Sequence, residues 1–301
     1  MAQRTFHFRV VSPGAVTRRV DIEAAAKALR LAGHSVTFGL HLFDSHRYLA
    51  GTVASRLSDL RSALEDDSVD AVWFARGGFG SAQLLPYLEM GWFVKPVIGY
   101  SDNTSLLGRV AESDGVAIHG PVFEEILEPK TAPDSIETGL IKEDAWRVVH
   151  LLSGNCANVQ NEAFSLTSMG PWPVGPITGP TWGGNLTTLT SLVGTPWAQS
   201  FRGALLLLED VGEPFYRIER MLDQLVQSNA MSGAAAVVLG DFHNCPKRGV
   251  LHSIEDIFLE RLSPLSVPVF AGAPFGHGAR NRPWRLGSDA RLDSNGLFWN
   301  K

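Results

Sequence analysis

Short apolar runs alternate with segments of helical spacing through the first half of the chain. Residues 6–11 are apolar enough for a strand and stop at the turn Ser12-Pro13-Gly14. Residues 20–31 are rich in alanine, carry Lys27 and Arg30 late, and predict a helix closed by Gly33. A short strand is predicted over 35–39. Residues 52–64 place Val53, Leu57, Leu60 and Leu64 at helical spacing. Residues 70–75 predict a buried strand, 81–88 a short helix, and 97–100 another strand, with a helix after Ser101. This β-α-β-α rhythm predicts a parallel sheet covered on both faces.

Between about 151 and 178 the pattern dissolves. Pro171, Pro173 and Pro176 cluster with Gly170, Gly175 and Gly179, which predicts an inter-domain linker. The expected organisation is therefore a domain over 1–150, a linker over 151–178 and a second domain over 179–301. The second half restarts with Leu186-Thr187-Thr188-Leu189 and a strand over 204–208. A helix over 214–227 carries Ile218, Met221, Leu222 and Leu225 on one side. A strand over 234–239, a helix over 254–262 and a strand over 267–271 follow. Short pieces over 284–286, 290–292 and 297–299 predict antiparallel strands.

At 301 residues, two domains are the default, and a composition 45% hydrophobic and 19% charged allows each a sizeable core. The net charge of -5 and the absence of a basic run argue against a nucleic-acid partner. No segment approaches the about eighteen apolar residues that a bilayer span needs. Arg9 interrupts any apolar N-terminal stretch, so no secretory signal is read, and the default location is cytoplasmic. The two cysteines, Cys156 and Cys245, form no motif and fit free buried thiols in a reducing compartment.

The richest stretch is Lys95-Pro96-Val97-Ile98-Gly99-Tyr100-Ser101-Asp102-Asn103-Thr104. A serine at a strand-to-helix turn is pushed out of the sheet beside free backbone N–H groups. Those groups and the helix dipole can stabilise an oxyanion. Asn103 stands where the usual elbow pattern has its second glycine, and a plain helix-capping serine is the competing reading. Asp102 and Asn103 suit the start of the following helix.

Arg76-Gly77-Gly78-Phe79-Gly80 follows the strand over 70–75. Its glycines permit a tight turn that brings backbone close to another group, on the same sheet edge as Ser101. It lacks the Lys-Ser/Thr ending of a phosphate-binding loop. A second strand ends in Glu209-Asp210, two acids whose side chains alternate between faces, one toward a cleft and one free to cap a loop. Glu213 is a rival for any acid role. Gly276-His277-Gly278 leaves one of nine histidines accessible among small residues. No His-x-x-x-His or Cys-x-x-Cys pattern points to a metal. Serine, acid and histidine have complementary chemistry: imidazole takes the hydroxyl proton, and a carboxylate fixes its tautomer and stabilises the imidazolium. The acid and base come from the second half, which predicts a site between domains.

Together these motifs resemble the LD-carboxypeptidase family of serine peptidases. The matching stretches are Ala75-Arg76-Gly77-Gly78-Phe79-Gly80 with Leu84-Leu85-Pro86, then Ile98 to Thr104, His119-Gly120-Pro121 and Gly183-Gly184-Asn185-Leu186. The resemblance continues in Leu208 to Glu213, in Tyr216 to Leu222, in Gly276-His277 and in Ala290-Arg291-Leu292. Family members often carry tyrosine where Phe79 stands. The resemblance implies an N-terminal parallel-sheet, flavodoxin-like nucleophile domain plus a C-terminal mixed α/β domain. It implies Ser101 as nucleophile, Glu209 as orienting acid and His277 as base, with the N–H groups of Gly78 and Asp102 forming an oxyanion hole. By position Arg76, with Gly77 beside it, is a candidate for binding a free substrate carboxylate, and a buried structural arginine is the equal competing reading. The implied substrate is a cytoplasmic murein tetrapeptide losing its terminal D-alanine in peptidoglycan recycling, with no metal or organic cofactor, no nucleic-acid or membrane partner, and often a homodimer. A sister branch cleaves microcin-type aminoacyl-adenylate mimics. Its signature would be an aromatic loop stacking the adenine, for which Trp172 and Trp182 are the candidates.

Overall fold

A computed structural model describes residues 4–129, 140–153, 163–171, 173 and 175–299. The chain divides into two compact units, Met1–Gly154 and Asn155–Lys301. The segment 151–178 read as a linker lies partly outside the described residues. So do Trp172 and Cys156.

The first unit runs β1 (His7–Val11), α1 (Arg19–Leu31), β2 (Ser35–Phe38), α2 (Val53–Glu65), β3 (Ala71–Phe74), β4 (Val97–Gly99), α3 (Thr104–Glu112), β5 (Ala117–His119) and α4 (Glu143–Leu152). Within it β2, β1, β3, β4 and β5 lie side by side in that order, and all four pairings are parallel. This is a doubly wound arrangement with its switch point between β1 and β3. All four residues of β3 are buried, as a central strand between two helical layers requires, whereas the edge strand β2 alternates. Phe8, Trp73, Ile98 and Phe123 form the middle of this core with Ile22, Ala25 and Leu29 of α1. The helix expected over 81–88 is a 3-10 segment, Ser81–Tyr87, because Pro86 removes an N–H and crowds the preceding turn.

The second unit continues with β6 (Thr167–Ser168), β7 (Ile177–Asn185), α5 (Leu186–Ser191), β8 (Leu205–Val211), α6 (Phe215–Gln227), β9 (Ala236–His243), α7 (Ile254–Leu262), β10 (Val269–Ala271), β11 (Trp284–Arg285), β12 (Asp289–Asp293) and β13 (Gly296–Trp299). Its sheet has the order β13-β12-β7-β8-β9-β10-β6. The four strands from β7 to β10 are parallel, and antiparallel strands flank them on both sides. This is the mixed α/β sheet that the resemblance implied. Its core joins Leu206 and Leu208 of β8 to Ile218, Leu222 and Leu225 of α6 and to Phe258 and Leu262 of α7. Among the described residues no helix is long and apolar enough to cross a membrane.

Candidate active site

Ser101 sits immediately beyond β4. Tyr100 is still extended, and Ser101 itself has φ +61°, a left-handed backbone conformation that a non-glycine residue holds at a cost of about 1–2 kcal/mol. The chain then turns through a 3-10 segment, Ser101–Asn103, into α3. The strain is held by contacts on either side. The Tyr100 hydroxyl donates to Glu125 at 2.7 Å. The Asn103 side-chain amide donates to the Arg76 carbonyl at 3.3 Å and to the Ser81 hydroxyl at 3.1 Å. Asp102 and Asn103 stand at the start of α3, as expected, with Asn103 at its N-cap position, but neither side chain caps the helix. Both reach across to the turn after β3 instead, where the Asp102 carboxylate accepts the Ser81 N–H at 2.8 Å.

The turn Arg76 to Gly80 lies directly against the serine. A Cβ on Gly77 would stand 2.7 Å from Ser101 Cβ, 2.9 Å from its Oγ and 3.6 Å from Asp102 N. Any side chain there would displace the hydroxyl, so the position requires glycine. The Arg76 side chain is 43% exposed and places its guanidinium 3.4 Å from Glu124, whose carboxylate also accepts the Thr17 hydroxyl at 2.8 Å. Burial raises the Glu124 pKa, and Thr17 and Arg76 oppose that shift.

In the second unit Glu209 lies near the end of β8 and is fully buried, although the neighbouring chain is almost wholly leucine. Its Oε2 is 2.7 Å from Nδ1 of His277, on the loop after β10. An ionised carboxylate only accepts, so this contact places a proton on Nδ1, and a neutral imidazole so held has its lone pair at Nε2. Burial pushes the Glu209 pKa up. The hydrogen bond and charge of His277 pull it down, Asp210 raises it further, and the Asn185 side chain lowers it. The loop comes close enough because residue 276 lacks a side chain: a Cβ there would sit 3.0 Å from Glu209 Cβ at φ +120°.

Asp210 is also buried, because the pairing of β8 with β9 shifts register between Leu208 and Asp210. It faces the start of α5, accepting from the Thr187 N–H at 2.9 Å, the Thr187 hydroxyl at 2.8 Å and the Asn185 amide at 3.1 Å. Of the three acids near the end of β8, Glu209 meets the imidazole, Asp210 caps a helix, and Glu213 pairs with Arg217 at 3.0 Å. Trp182 belongs to β7 and packs against the second core.

Arg56 and Asn185 were not assigned roles from the sequence. Arg56 lies on the same helical face as Leu60, Ala63 and Leu64, three residues after Val53 and four before Leu60, so a charged side chain falls in phase with the apolar series. That spacing is the signal that could have revealed it. Among the described residues no group of three or more His, Cys, Asp or Glu side chains is placed to hold a metal ion.

These parts define a class: a two-unit α/β protein with a serine on a strained strand-to-helix turn in the first unit and a buried glutamate–histidine pair in the second. Comparison with known proteins narrows it. The model of the LD-carboxypeptidase N-terminal domain matches residues 8–120, and that of the LD-carboxypeptidase C-terminal domain matches residues 178–292. The chain belongs to the LD-carboxypeptidase family. A murein tetrapeptide carboxypeptidase of Pseudomonas aeruginosa is 37% identical over 298 residues, covering 96% of this chain and 94% of the relative. The crystal structure of a muramoyltetrapeptide carboxypeptidase from Oxalobacter formigenes superposes with a TM-score of 0.77 at 25% identity, covering 97% of each chain. The microcin C7 self-immunity protein MccF in complex with aspartyl sulfamoyl adenosine has a TM-score of 0.80 at 20% identity, covering 98% of this chain and 96% of that one. The last likeness is one of fold.

Proposed function

We propose that the protein is a serine carboxypeptidase that releases the terminal D-alanine from murein tetrapeptides. The observation that carries this reading is the 2.7 Å contact between His277 Nδ1 and the buried Glu209 carboxylate. Ser101, held at a strained turn beside Gly77, supplies the complementary group. The resemblance of the chain to a murein tetrapeptide carboxypeptidase over almost its full length supports the substrate class.

In this mechanism His277 Nε2 takes the Ser101 proton as Oγ attacks the carbonyl preceding D-alanine. The oxyanion is received by the backbone N–H groups of Gly78 and Asp102. The imidazolium, stabilised by Glu209, returns its proton to the departing amine, and D-alanine leaves. Water, deprotonated by His277, then cleaves the acyl-enzyme and regenerates Ser101. Arg76 and the Gly77 backbone bind the substrate, Arg76 through the free carboxylate. The reading places the nucleophile in a domain over 1–150 and the acid and base in one over 179–301. It includes a homodimer in the cytoplasm, for which sedimentation and cell fractionation are the direct checks.

The test is incubation with L-Ala-γ-D-Glu-meso-diaminopimelyl-D-Ala and, separately, with an aminoacyl sulfamoyl adenosine, reading both products by mass. Release of D-alanine from the tetrapeptide is expected. Consumption of the sulfamoyl adenosine alone would replace this reading with that of a microcin-immunity-type peptidase. C-terminal amidation of the tetrapeptide is expected to depress turnover strongly, and equal turnover would argue against an exopeptidase.

A further inference from the structure

Arg56 is 1% exposed, in the middle of the first unit. Its guanidinium donates to the Pro13 carbonyl, to the Gly80 carbonyl at 2.8 Å and to the Gln83 side chain at 2.6 Å. Pro13 belongs to the turn after β1, and Gly80 and Gln83 to the segment after β3. The turn after β4 joins them through Asp102, which accepts the Ser81 N–H at 2.8 Å. Packing leaves no slack: a Cβ on Gly14 would lie 2.7 Å from Asp102 Oδ2 and 3.2 Å from the Gly77 carbonyl. Ala15 N–H closes the circuit on that same carbonyl at 3.3 Å.

A buried guanidinium surrounded by neutral carbonyls needs a counter-charge. Asp102 supplies one: each of the two groups favours the charged form of the other. Burial raises Asp102, and the N–H groups of Ser81 and Gly80 together with Arg56 work against that shift. One cation and one anion therefore tie together three turns at the carboxyl edge of the sheet. A lysine could not do this, because the three acceptors need a planar fork of donors.

We infer that Arg56, acting with the Asp102 carboxylate, is a positioning residue that sets the spacing between the turn carrying Gly78 and the turn carrying Ser101. The inference rests on the proposed function, since the N–H groups of Gly78 and Asp102 sit on those two turns. Oxyanion donors work over a narrow range of distance, and a misplacement of about 1 Å costs about 10²-fold in rate. Arg56 itself touches neither substrate nor reacting atoms.

The experiment compares full-length wild type with Arg56→Lys, Arg56→Met and Asp102→Asn. Active sites are counted by fluorophosphonate labelling of Ser101, so that loss of folded protein does not enter the rate. For the Arg56 variants kcat per labelled site is expected to fall about 10²-fold with KM changed by less than about threefold. Asp102→Asn, which keeps an acceptor for Ser81 but loses the charge, is expected to fall about tenfold. A purely structural role would lower the labelled fraction and the melting temperature while leaving kcat per site intact. That outcome, with kcat within about threefold of wild type, overturns the inference. Should the Arg56 variants fail to fold, the near-isosteric Asp102→Asn decides on the same criterion. If wild type itself releases no D-alanine, the substrate reading has failed separately. The rate of fluorophosphonate labelling, which needs the oxyanion donors but no murein peptide, then makes the comparison. About 10²-fold slower labelling in the Arg56 variants is expected, and equal rates overturn the inference.

Discussion

The turn that carries Ser101 and the loop that carries His277 solve different problems with similar means. Both rely on glycine to bring backbone close to a side chain of the proposed site. A serine hydroxyl is neutral, so only geometry can set its position. The first turn accordingly stores backbone strain at φ +61° and locks it with hydrogen bonds to a neighbouring turn. An imidazole must also have its tautomer and charge controlled. The second loop accordingly meets a fully buried carboxylate at 2.7 Å. The first site is thus expected to be sensitive to shape and the second to charge.

The harshest test of this contrast is deletion of the nucleophile. Ser101→Ala is expected to lower kcat for D-alanine release by at least about 10⁴-fold, with an unchanged circular dichroism spectrum and melting temperature. The alanine inherits the same left-handed backbone and loses only the hydroxyl. Turnover near that of wild type would remove Ser101 from the mechanism.

Next comes a change of charge alone. Glu209→Gln is expected to cost about 10³-fold in kcat, because an amide no longer stabilises the imidazolium. Stability should respond in the opposite sense. The folded protein holds the Glu209 pKa above its unfolded value, chiefly by burial. The folded state therefore binds the proton more tightly, and the contribution of this group is complete below the unfolded carboxylate pKa. It is lost as pH rises through the folded value. Glutamine does not titrate, so the variant should gain on wild type as pH climbs from about 4 to 8. Urea midpoints at those two pH values measure this, and a gap moving the other way would show that His277 more than offsets the burial.

A change of shape alone sharpens the other side. Gly77→Ala inserts a methyl group 2.7 Å from Ser101 Cβ and 2.9 Å from Oγ. It is expected to cost about 1–3 kcal/mol of stability, read by urea denaturation, and about 10–100-fold in kcat. No charge is altered. If activity survives unreduced, the serine turn tolerates displacement and the contrast with the His277 loop weakens.

The legibility of the sequence follows the same division. Strands buried on both faces, such as β3, stand out as apolar runs, and both sheets could be anticipated from them. Strand β7 was hidden, because Ile-Thr-Gly-Pro-Thr-Trp-Gly-Gly-Asn reads as a loop until β8 and β12 are seen pairing with it. Strand β5, at three residues, is too short to carry a period. As candidates, Ser101, Glu209 and His277 stood out in the sequence because each ends an apolar run or lies among glycines. Arg56 did not, because an arginine within a helix is normally solvated, and only its three acceptors on two distant segments, the turn after β1 and the segment after β3, explain its burial. Strand alternation already separated Glu209 from Asp210, but which of the two meets the imidazole, and the register shift between Leu208 and Asp210, had to be seen in the structure.

The smallest expected effect is also the one that separates neighbouring acids. Glu213 lies four residues beyond Glu209 in a chain that turns sharply between them, and from sequence either could face the imidazole. Its carboxylate instead sits 3.0 Å from the Arg217 guanidinium, which is half exposed. The Glu213 side chain is largely buried, but solvent reaches the pair from the Arg217 side, so the pair contributes modestly to stability. Glu213→Gln is therefore expected to leave kcat within about threefold of wild type and the melting temperature nearly unchanged, in the D-alanine release assay and a thermal scan. The comparison with Glu209→Gln is what gives the measurement its force, since both variants remove one carboxylate charge from the same end of β8. If the two losses were equal, charge in the neighbourhood rather than the specific contact with His277 would be what the reaction needs. If Glu213→Gln were the more damaging, the roles assigned to these two acids would have to be exchanged.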